Sequence, residues 1–494
     1  MILLLSYAGS SVNDVMENAG HDCAADANTY AAGAVVSGAS PAYNVEEMTY
    51  ALKTADAKFL ATSPTSMAVA KEAAKNAGLS QGNLILLEGR MEGLPTIQDL
   101  IETGRSYGAD QEPAFSFPSG KTNKAICAFL SFSSGTTGLP KAVMISHHNM
   151  IAQCLQAHAS QSPWTKNVLA VLPLFHVTGL AWILHIPILL NEEVYLLPYY
   201  EMNLMCKTIE TYQINELLLV PPLLIRLVRD PDVKKYDLSC VKGFSTGAAP
   251  VSVEILSLLE KQFPGTAFKQ GYGMTESCSC ITSTDPKWYD YKWGASVGTI
   301  CSSTEVKIVK DDGTEAGVDE EGELLARGPQ ITMGYLNNEK ATRETYEPDR
   351  FLRTGDIATI DSEGRVWIRD RKKELIKVSG IGVAPAELED LLLGHPLVED
   401  AAVVGITDEY SGELPKAFVK LDQGGTGSEE IGKDIMKYVS ERKVKHKRVR
   451  EVQFVSEIPK SASGKILRRL LRDGKSGAGG LVVTDRARAE KARL

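Results

Sequence analysis

The sequence lacks any apolar run long enough to cross a membrane. The longest candidate, residues 179–190, is much shorter than the roughly 20 residues that a spanning helix needs, and it contains His185 and Pro187. Residues 1–5 are apolar but include no basic residue, and the run is shorter than the about 7–15 residues of a signal-peptide core. We therefore expect neither a membrane span nor a secretory signal.

Paired cysteines and histidines are also missing. The eight cysteines are scattered along the chain with no C-x-x-C pair, and the eight histidines form no H-x-x-x-H pair. Structural zinc sites depend on such spacings. The sequence thus predicts reduced thiols in a cytosol-like compartment and no structural metal.

Basic residues are not in excess. Lys and Arg number 53 against 62 Asp and Glu, which gives a formal charge of −9 and disfavours a broad nucleic-acid-binding surface. The 494 residues, 44% of them hydrophobic, are enough for a large core and for about two to four domains. We expect small-molecule partners, no nucleic acid, and a monomer or weak homodimer.

Short apolar runs alternate with amphipathic stretches through the middle of the chain. We predict strands at residues 84–87, 126–131, 168–172, 193–197, 217–220 and 241–246, and helices at 149–160, 203–212, 223–228 and 251–262. This alternation predicts an α/β fold with mainly parallel sheets. Frequent turn dipeptides after about residue 296 indicate a β-rich segment, which an α+β segment and a Gly/Ser-rich tail follow.

A segment rich in Ser, Gly and Thr occupies residues 131–141 and precedes a helix-compatible stretch. Small residues let the backbone approach a polyanion closely, hydroxyl and N–H groups donate to phosphate oxygens, and Lys141 adds a positive charge. It is not a Walker A loop, because Pro140 stands where the second Gly belongs and Ala142 follows the lysine. A flexible loop without a ligand is the alternative interpretation.

The pattern Ser-x-Gly-Thr-Thr-Gly-x-Pro-Lys resembles the signature of the adenylate-forming superfamily, and the chain looks most similar to 4-coumarate–CoA ligase-like enzymes. Further motifs follow in the family's order at residues 271–276, 353–356, 370–377 and 459–469. The resemblance implies a large AMP-binding domain over residues 1–370 built of parallel βα layers, with a small β-rich subdomain at about 296–370. A smaller, mobile α+β C-terminal domain (371–472) and a flexible tail (473–494) complete the expected organisation.

The resemblance implies one ATP site assembled from these motifs. The Ser/Gly/Thr loop would bind the phosphates, the Tyr272 ring would stack on adenine, and Asp356 would accept both ribose hydroxyls. Taken singly, each motif could be an ordinary turn. The residues expected to bind ATP or AMP are Ser133, Ser134, Gly135, Thr136, Thr137, Gly138, Lys141, Gly247, Ala248, Ala249, Gly271, Tyr272, Gly273, Asp356, Arg371 and Lys377.

Catalytic roles also follow from the resemblance. Thr275 would reach the α-phosphate, and Glu276 would hold a Mg²⁺ ion that bridges phosphates. Lys465 would neutralise the charge that builds as pyrophosphate leaves, although a solvated basic turn is the plain alternative. Lys373 would be the hinge about which the C-terminal domain alternates between half-reactions, and Gly380 would line the CoA channel.

The acyl pocket maps to a motif at residues 172–180. His176 would take part in catalysis by lining the carboxylate-binding region, although a lone His beside apolar residues is more often a core residue. Thr178 and Trp182 stand where 4-coumarate-type enzymes usually have Tyr and a small residue. The large Trp182 side chain should shorten or reshape the acyl tunnel.

Two departures from the family pattern stand out. Residues 1–28 match no family segment, so we expect missing strands and an exposed sheet edge in the first subdomain. Gly382 replaces a Gln that helps to hold the adenylate. Because glycine has no side chain to donate, the first half-reaction could be slower.

These motifs together predict an ATP-dependent acid–thiol ligase. It would convert an aryl or medium-chain acid into an acyl-adenylate and then transfer the acyl group to CoA, with ATP, Mg²⁺ and CoA as cofactors. Two alternatives remain at this point: adenylation that feeds a carrier protein, and a weakly active nucleotide-binding relic.

The last three residues, Ala492-Arg493-Leu494, are a variant of the small–basic–Leu signal for peroxisomal import. We expect a peroxisomal location if this signal is recognised, and a cytoplasmic one otherwise. A fluorescent fusion that carries residues 481–494 and stays diffuse in a peroxisome-containing cell would contradict the expectation.

Overall fold

The computed structural model describes residues 2–6, 33–107, 115–133, 139–197, 199–249, 251, 253–371, 374–378, 381–408, 411–422, 425–461, 464–472, 474 and 480–484. The strands, numbered in chain order, are β1 Ile2–Ser6, β2 Val35–Gly38, β3 Phe59–Thr62, β4 Leu84–Leu86, β5 Cys127–Ser133, β6 Lys141–Ser146, β7 Asn167–Ala170, β8 Glu193–Leu196, β9 Glu216–Leu218, β10 Gly243–Thr246, β11 Ala267–Met274, β12 Ser279–Ser283, β13 Thr299–Ile300, β14 Glu305–Val309, β15 Gly322–Arg327, β16 Leu352–Ile360, β17 Val366–Arg371, β18 Ile376–Val378, β19 Ile381–Val383, β20 Val398–Asp408, β21 Gly412–Leu421, β22 Glu451–Phe454 and β23 Val482–Thr484. The α-helices are α1 Val45–Thr54, α2 Met67–Ala77, α3 Ile97–Ser106, α4 His147–Ala159, α5 Val177–Gly179, α6 Ile186–Leu190, α7 Met202–Tyr212, α8 Pro221–Arg229, α9 Val253–Gln262, α10 Glu339–Thr345, α11 Pro385–Leu393, α12 Glu429–Arg442 and α13 Arg468–Arg472. A π-helical segment, Leu180–His185, joins α5 to α6.

The first sheet has the strand order β4-β3-β1-β2-β5-β6. Its neighbours are parallel except for β5 and β6, which are antiparallel. The sequence analysis assigned no strand to residues 1–28, whereas the structure has β1 there, between β2 and β3. A short run of consecutive apolar residues shows no period-2 alternation, so periodicity alone does not identify such a strand.

The Ser/Gly/Thr loop connects two antiparallel strands. It leaves β5 at Ser133 and returns at Lys141 as β6, which pairs with β5 along its length. The helix predicted at residues 149–160 is α4, and β6, which the sequence analysis did not predict, lies between the loop and that helix. A short apolar run such as residues 142–145 suits a buried strand as well as a buried helix, and pairing with β5 decides between them.

Helix α4 begins where the sequence supplies a cap. The Ser146 hydroxyl accepts the Asn149 N–H at 3.1 Å, and the Asn149 side chain accepts the Ser146 N–H at 2.9 Å. This reciprocal pair satisfies backbone donors that the first helical turn leaves open. The Asn149 side-chain amide also donates to the carbonyls of Pro329 and Ile331. These two hydrogen bonds hold the start of α4 against the segment that follows β15.

The second sheet has the order β13-β12-β11-β10-β9-β7-β8. Strands β8, β7, β9, β10 and β11 are parallel, whereas β12 and β13 continue the sheet in antiparallel fashion. Helices α7, α8 and α9 lie between the parallel strands along the chain. The predicted α/β fold with parallel sheets is confirmed.

Two smaller sheets follow. Strands β14 to β17 form an antiparallel sheet, and the last sheet has the order β19-β18-β21-β22-β23 with β20 paired to β21. Side chains from the first three sheets share one apolar core, which includes Phe129, Ile281 and Leu324. A separate core, with Ala417, Ile435 and Val452, holds the last sheet together. The exact domain boundaries stay predictions.

The structure also bears on membranes and thiols. No helix in the described part of the chain is both long and apolar enough to cross a membrane. The seven cysteines within the described ranges are free thiols. Cys23 and the C-terminal residues 492–494 lie outside those ranges.

Candidate active site

A cavity of about 850 Å³ opens where the carboxyl ends of β9 and β10 meet the β5–β6 connection and the C-terminal segment. In open α/β sheets, ligands bind at this edge of the strands. Most of the predicted site residues line this cavity. They are Ser133, Lys141, His176, Thr178, Trp182, Gly247, Ala248, Gly271, Gly273, Thr275, Glu276, Arg371 and Lys465.

The other predicted residues divide into three groups. Tyr272 and Asp356 contact lining residues from behind the cavity wall. Ala249 and Lys377 do not line the cavity, and Lys377 lies exposed on β18, where its N–H donates to Glu413 at 2.8 Å. The remaining ones lie outside the described residues, namely Ser134, Gly135, Thr136, Thr137, Gly138, Lys373 and Gly380.

Asp356 is the centre of the expected ribose end. The side chain is 4% exposed. It accepts a hydrogen bond from the Tyr272 hydroxyl at 2.6 Å and pairs with Nε of Arg371 at 3.2 Å. Burial raises the pKa of Asp356 above its usual value, against the opposing effects of Arg371, Tyr272 and Lys465. A buried carboxylate so placed can accept hydrogen bonds from a diol that enters from the cavity side.

Glu276 is held in place by Tyr335, which the sequence analysis did not identify. Glu276 is 5% exposed, and its Oε1 accepts the Tyr335 hydroxyl at 2.7 Å. The ammonium of Lys141 lies over the Tyr335 ring, 4.1 Å from its centroid. Burial and the Glu276 carboxylate together raise the pKa of Tyr335, so its hydroxyl remains a donor. Tyr335 therefore contacts both the Glu276 carboxylate and the Lys141 ammonium, which lie at the same end of the cavity.

Gly273 is required by the turn that carries Thr275 and Glu276. Strands β11 and β12 pair with a bulge between Tyr272 and Gly273. A Cβ atom built on Gly273 would lie 1.6 Å from the carbonyl oxygen of Ser279, a distance that no side chain tolerates. Any residue other than glycine would push the two strands apart and displace the motif.

Lys465 reaches the cavity from a tight C-terminal turn. The Ser461 N–H donates to the Lys465 carbonyl at 2.8 Å, and Gly464 has φ +80, which glycine adopts without strain. Burial and the nearby Arg371 lower the pKa of Lys465 to about 8, while Glu374 and Asp356 oppose this shift. Its ammonium is thus close to Asp356 and Arg371.

Arg468 anchors this turn to the rest of the C-terminal domain. Its guanidinium pairs with Glu374 at 2.6 Å and with Glu389 at 2.7 Å. Both carboxylates are largely buried, and ion pairs of this kind are costly to break because the remaining charge is left uncompensated. The position of Lys465 therefore depends on a fixed support rather than on a solvated basic turn.

His176, Thr178 and Trp182 line a more apolar arm of the cavity. Nδ1 of His176 accepts the Thr178 N–H at 3.3 Å, and burial lowers the pKa of His176 to about 4. At neutral pH the imidazole is uncharged and carries its proton on Nε2, because Nδ1 is an acceptor. The indole N–H of Trp182 donates to the Ser279 hydroxyl at 3.1 Å, which holds the ring across the arm.

Several buried polar atoms around the cavity find no partner among the described residues. They are Oγ of Ser133, Oγ1 of Thr246 and Oε1 of Gln270, and all three residues line the cavity. Unsatisfied buried polar groups are uncommon in native proteins and call for a partner. The Ser133 and Thr246 hydroxyls, together with Lys141, Arg371 and Lys465, fit a polar, negatively charged ligand such as a nucleotide. Oε1 of Gln270 is an acceptor for an N–H or O–H group of such a ligand.

Glu276 is the cavity-lining carboxylate that the sequence analysis expected to hold a metal. No group of three or more His, Cys, Asp or Glu side chains suited to a metal ion occurs within the described ranges. Mg²⁺ bound with nucleotides usually takes one or two carboxylates, and substrate phosphates and waters complete its coordination. Glu276 suits that arrangement and would hold the ion jointly with phosphate oxygens.

The sequence analysis also missed the charged residues of the apolar arm. Lys269 lines the cavity beside the uncharged Ser245, and Glu216, which pairs with Lys269, lies behind them. The sequence did contain a signal for this ion pair. Glu216 borders an apolar strand and Lys269 interrupts one, and an unpaired charge is costly at such positions. Two such residues on nearby parallel strands indicate a buried ion pair.

Comparison with known proteins identifies the family. Residues 9–336 match the model of the AMP-binding enzyme family, so the expectation that residues 1–28 match no family segment is wrong from residue 9 onward. Residues 387–465 match the model of its C-terminal domain. The 4-coumarate–CoA ligase-like 1 protein of Arabidopsis thaliana is 38% identical over 451 residues, which cover 90% of this chain and 80% of that protein. The probable 4-coumarate–CoA ligase 1 of Dictyostelium discoideum is 35% identical over 461 residues, 89% of this chain and 81% of the relative.

Solved structures agree at the level of the fold. The anthranilate–CoA ligase AuaEII in complex with anthranoyl-AMP superposes with a TM-score of 0.81 at 24% identity, covering 97% of this chain and 88% of that one. The o-succinylbenzoate–CoA synthetase of Bacillus subtilis, in complex with ATP and magnesium, has a TM-score of 0.76 at 24% identity and covers 96% and 89%. The chain therefore belongs to the AMP-binding family of adenylate-forming enzymes, in which its curated relatives are acid–thiol ligases of the 4-coumarate–CoA ligase type.

Proposed function

We propose that the protein activates a carboxylic acid, aryl or medium-chain acyl, with ATP and transfers the acyl group to CoA. The observation that carries the proposal is that one cavity brings Glu276, Arg371 and Lys465 together with an apolar arm. One end suits a nucleotide and its phosphates, and the other suits the organic part of an acid. CoA is favoured over a carrier protein because the curated relatives are named CoA ligases.

The reaction would proceed in two displacements. A carboxylate oxygen attacks the α-phosphorus of ATP, a new P–O bond forms, and the bond to pyrophosphate breaks. The sulfur of CoA then attacks the acyl carbonyl, a thioester forms, AMP leaves, and the thiol proton passes to solvent. Mixed anhydride formation makes the otherwise inert carboxylate electrophilic. Mg²⁺, when bound, would screen the negative charge of the phosphates.

Each side chain has a definite task in this scheme. Lys465 would neutralise charge on the carboxylate and α-phosphate during adenylation, and Thr275 would donate to the α-phosphate. His176, which is neutral at pH 7, would contact the acid carboxylate through its Nε2–H rather than as a cation. Lys373 as hinge and Gly380 in the CoA channel would act in the second step, after rotation of the C-terminal domain.

The alternative that the protein is a weakly active nucleotide-binding relic is less favoured. Gly382 lies opposite Lys377 in the β18–β19 pair and is exposed, so it offers no side chain to the adenylate. The buried support of Glu276 and the anchored Lys465 turn, however, are features of a functional site. We therefore expect a slower first step at most.

Pyrophosphate release tests the proposed function directly. The purified protein, with ATP and Mg²⁺, should release pyrophosphate in the presence of some members of a panel of aryl and medium-chain acids. Added CoA should then yield the acyl-CoA and AMP in equal amounts. A panel that gives no pyrophosphate with any acid, while ATP still binds by calorimetry, would establish the relic instead.

The acyl arm gives a specificity prediction. Trp182→Ala should extend acceptance to longer or bulkier acids, because a large ring that lies across the arm is removed. The kcat/KM for the longest accepted acid should rise, and that for the shortest should fall by roughly 10-fold, in proportion to the apolar contact that is lost. Trp367→Ala is a suitable control, because the Trp367 indole N–H donates to Asp361 and Trp367 does not line the cavity. An unchanged acid profile would place Trp182 in ordinary core packing.

A further inference from the structure

One short segment, residues 332–335, holds Glu276 by both its main chain and its side chain. The N–H and the hydroxyl of Thr332 each donate to the Glu276 carbonyl oxygen at 3.0 Å. The Tyr335 hydroxyl donates to Oε1 of the Glu276 carboxylate at 2.7 Å. All three residues are buried. The position of the carboxylate therefore depends on this segment as well as on the turn that carries Glu276.

Further contacts hold Thr332 in place. Because its hydroxyl donates its only proton to Glu276, it accepts from the Tyr346 hydroxyl, 2.7 Å away. The Arg350 guanidinium donates to the Thr332 carbonyl at 3.0 Å and lies over the Tyr346 ring. The N–H, carbonyl and hydroxyl groups of Thr332 thus all have partners. Buried networks that are satisfied in this way are rigid.

The same segment runs beside β6. Tyr335 forms an antiparallel bridge with Val143, and the Leu336 N–H donates to the Ala142 carbonyl at 2.9 Å. In this register, Lys141 is the diagonal neighbour of Tyr335 on the same face, which long side chains can span. Its ammonium lies 4.1 Å from the centroid of the Tyr335 ring. Backbone pairing therefore determines the contact between the lysine and the ring.

Tyr335 and the two charged groups that it contacts all line the cavity. The Tyr335 hydroxyl uses one acceptor position of the Glu276 carboxylate, which has about four, so others can bind a metal ion. The Lys141 ammonium has three N–H donors, so contact with the ring leaves donors for a phosphate oxygen. The two contacts thus orient both groups without blocking either of them.

We propose that Tyr335 is a positioning residue with two separate effects on nucleotide binding: its hydroxyl orients the Glu276 carboxylate for Mg²⁺, and its ring orients the Lys141 ammonium for the phosphates of ATP. This inference rests on the proposed function, which assigns Glu276 and Lys141 to these tasks. It deepens that function by joining the metal site to the phosphate site through one side chain. The effect of the hydroxyl requires Mg²⁺, whereas the effect of the ring does not.

A purely structural role for Tyr335 leads to a different expectation. Its ring is part of the apolar core and packs edge-on against the Tyr346 ring, with 6.2 Å between the centroids. If packing were its only role, substitution would lower thermal stability and weaken ATP binding equally with and without Mg²⁺. Comparison of the two conditions therefore separates positioning from packing.

The first test is Tyr335→Phe, which keeps the ring and removes the hydroxyl. Isothermal titration with ATP, in Mg²⁺ and in EDTA, gives the gain in affinity that Mg²⁺ provides. We expect this gain to fall by roughly 10-fold, as for other groups that support a metal ligand, while the Kd in EDTA stays at the wild-type value. In the pyrophosphate assay, the apparent KM for Mg²⁺ should rise by a similar factor, and saturating Mg²⁺ should restore kcat.

The second test is Tyr335→Leu, which removes the ring as well. The Kd for ATP in EDTA should now rise by roughly 2–5-fold, the size expected of a solvent-accessible cation–π contact. The Mg²⁺ gain should be as small as in the phenylalanine variant. If the hydroxyl acts through Glu276, adding Tyr335→Phe to Glu276→Gln should reduce the Mg²⁺ gain no further, because contacting residues are not additive.

Tyr291 provides a matched control. It is another buried tyrosine, and its hydroxyl lies 2.8 Å from the Thr266 hydroxyl, but it does not line the cavity. Tyr291→Phe removes a comparable buried hydrogen bond. It should lower thermal stability while both Kd values for ATP stay at the wild-type level.

The outcomes separate this inference from the proposed function. A full Mg²⁺ gain in Tyr335→Phe, an equal loss of affinity with and without Mg²⁺, or a further loss in the double variant would each overturn the role of Tyr335. A wild-type ATP affinity that does not respond to Mg²⁺ would do the same. Absence of pyrophosphate release with every acid would overturn the proposed function, and the titrations with ATP would still decide the role of Tyr335.

Discussion

Replacing Lys465 with alanine is expected to lower the rate of adenylate formation by roughly 10²–10³-fold, the effect of losing one preorganised electrostatic partner of a transition state. Lys465 lies close to Asp356 and Arg371, and its turn is fixed by Arg468. Thioester formation from a supplied acyl-adenylate should remain largely intact, because the charge on the phosphates no longer builds up in that step. Each half-reaction is measured separately on the purified variant.

A nearby lysine provides the control for this variant. Lys460 lies on the same turn but pairs with Asp400 at 2.6 Å and does not line the cavity, so Lys460→Ala should leave both half-reactions close to wild type. Lys373→Pro, at the expected hinge, should impair the second step more than the first. Equal losses of both steps in the Lys465 variant would refute alternation between half-reactions in this protein.

The pH dependence of the first step gives an independent check on Lys465. With a lowered pKa of about 8, the ammonium is charged below pH 8 and loses its proton as the pH rises through that value. The kcat/KM for adenylation should therefore fall on the alkaline side near pH 8, since kcat/KM reports the free enzyme. Lys465→Arg should remove this decline, because a guanidinium remains protonated there.

Asp356→Ala is expected to weaken ATP binding by about 1.5–3 kcal/mol, the range for hydrogen bonds that involve a charged group. This corresponds to roughly a 10–150-fold increase in Kd. The physical reason is the loss of a buried carboxylate that Tyr272 and Arg371 hold at the cavity wall. Isothermal titration with ATP measures the effect, and AMP should show a similar loss because the ribose is common to both.

Two further variants distinguish ribose binding from general damage to the sheet. Asp356→Asn keeps one acceptor oxygen and should lose less affinity than the alanine variant. Asp361 directly follows β16, pairs with Arg365 at 2.8 Å and does not line the cavity. Asp361→Ala should therefore lower thermal stability without changing ATP affinity. Wild-type affinity in a folded Asp356→Ala variant would show that the ribose assignment is wrong.

Several features of the fold could be predicted from the sequence because their signals are local. The strands predicted at residues 84–87 and 193–197 were located to within about one residue, since each is an apolar run bounded by turn-forming residues. Strand β1 was missed because its apolar run shows no alternation. Strand β6 was missed because its identity depends on pairing with β5, which no local pattern reveals.

The sequence by itself determined the family, the order of the motifs and the identity of 13 of the residues that line the cavity, because turns, glycines and charged motif residues act at short range along the chain. The tertiary structure alone decided which side chains meet across the sheets. Tyr335 donates to Glu276 from 59 positions away, and Lys269 pairs with Glu216 across β10. Such pairs are set by strand order and register, which the crossover connections between strands determine. Neither strand order nor register produces a periodic pattern in the sequence.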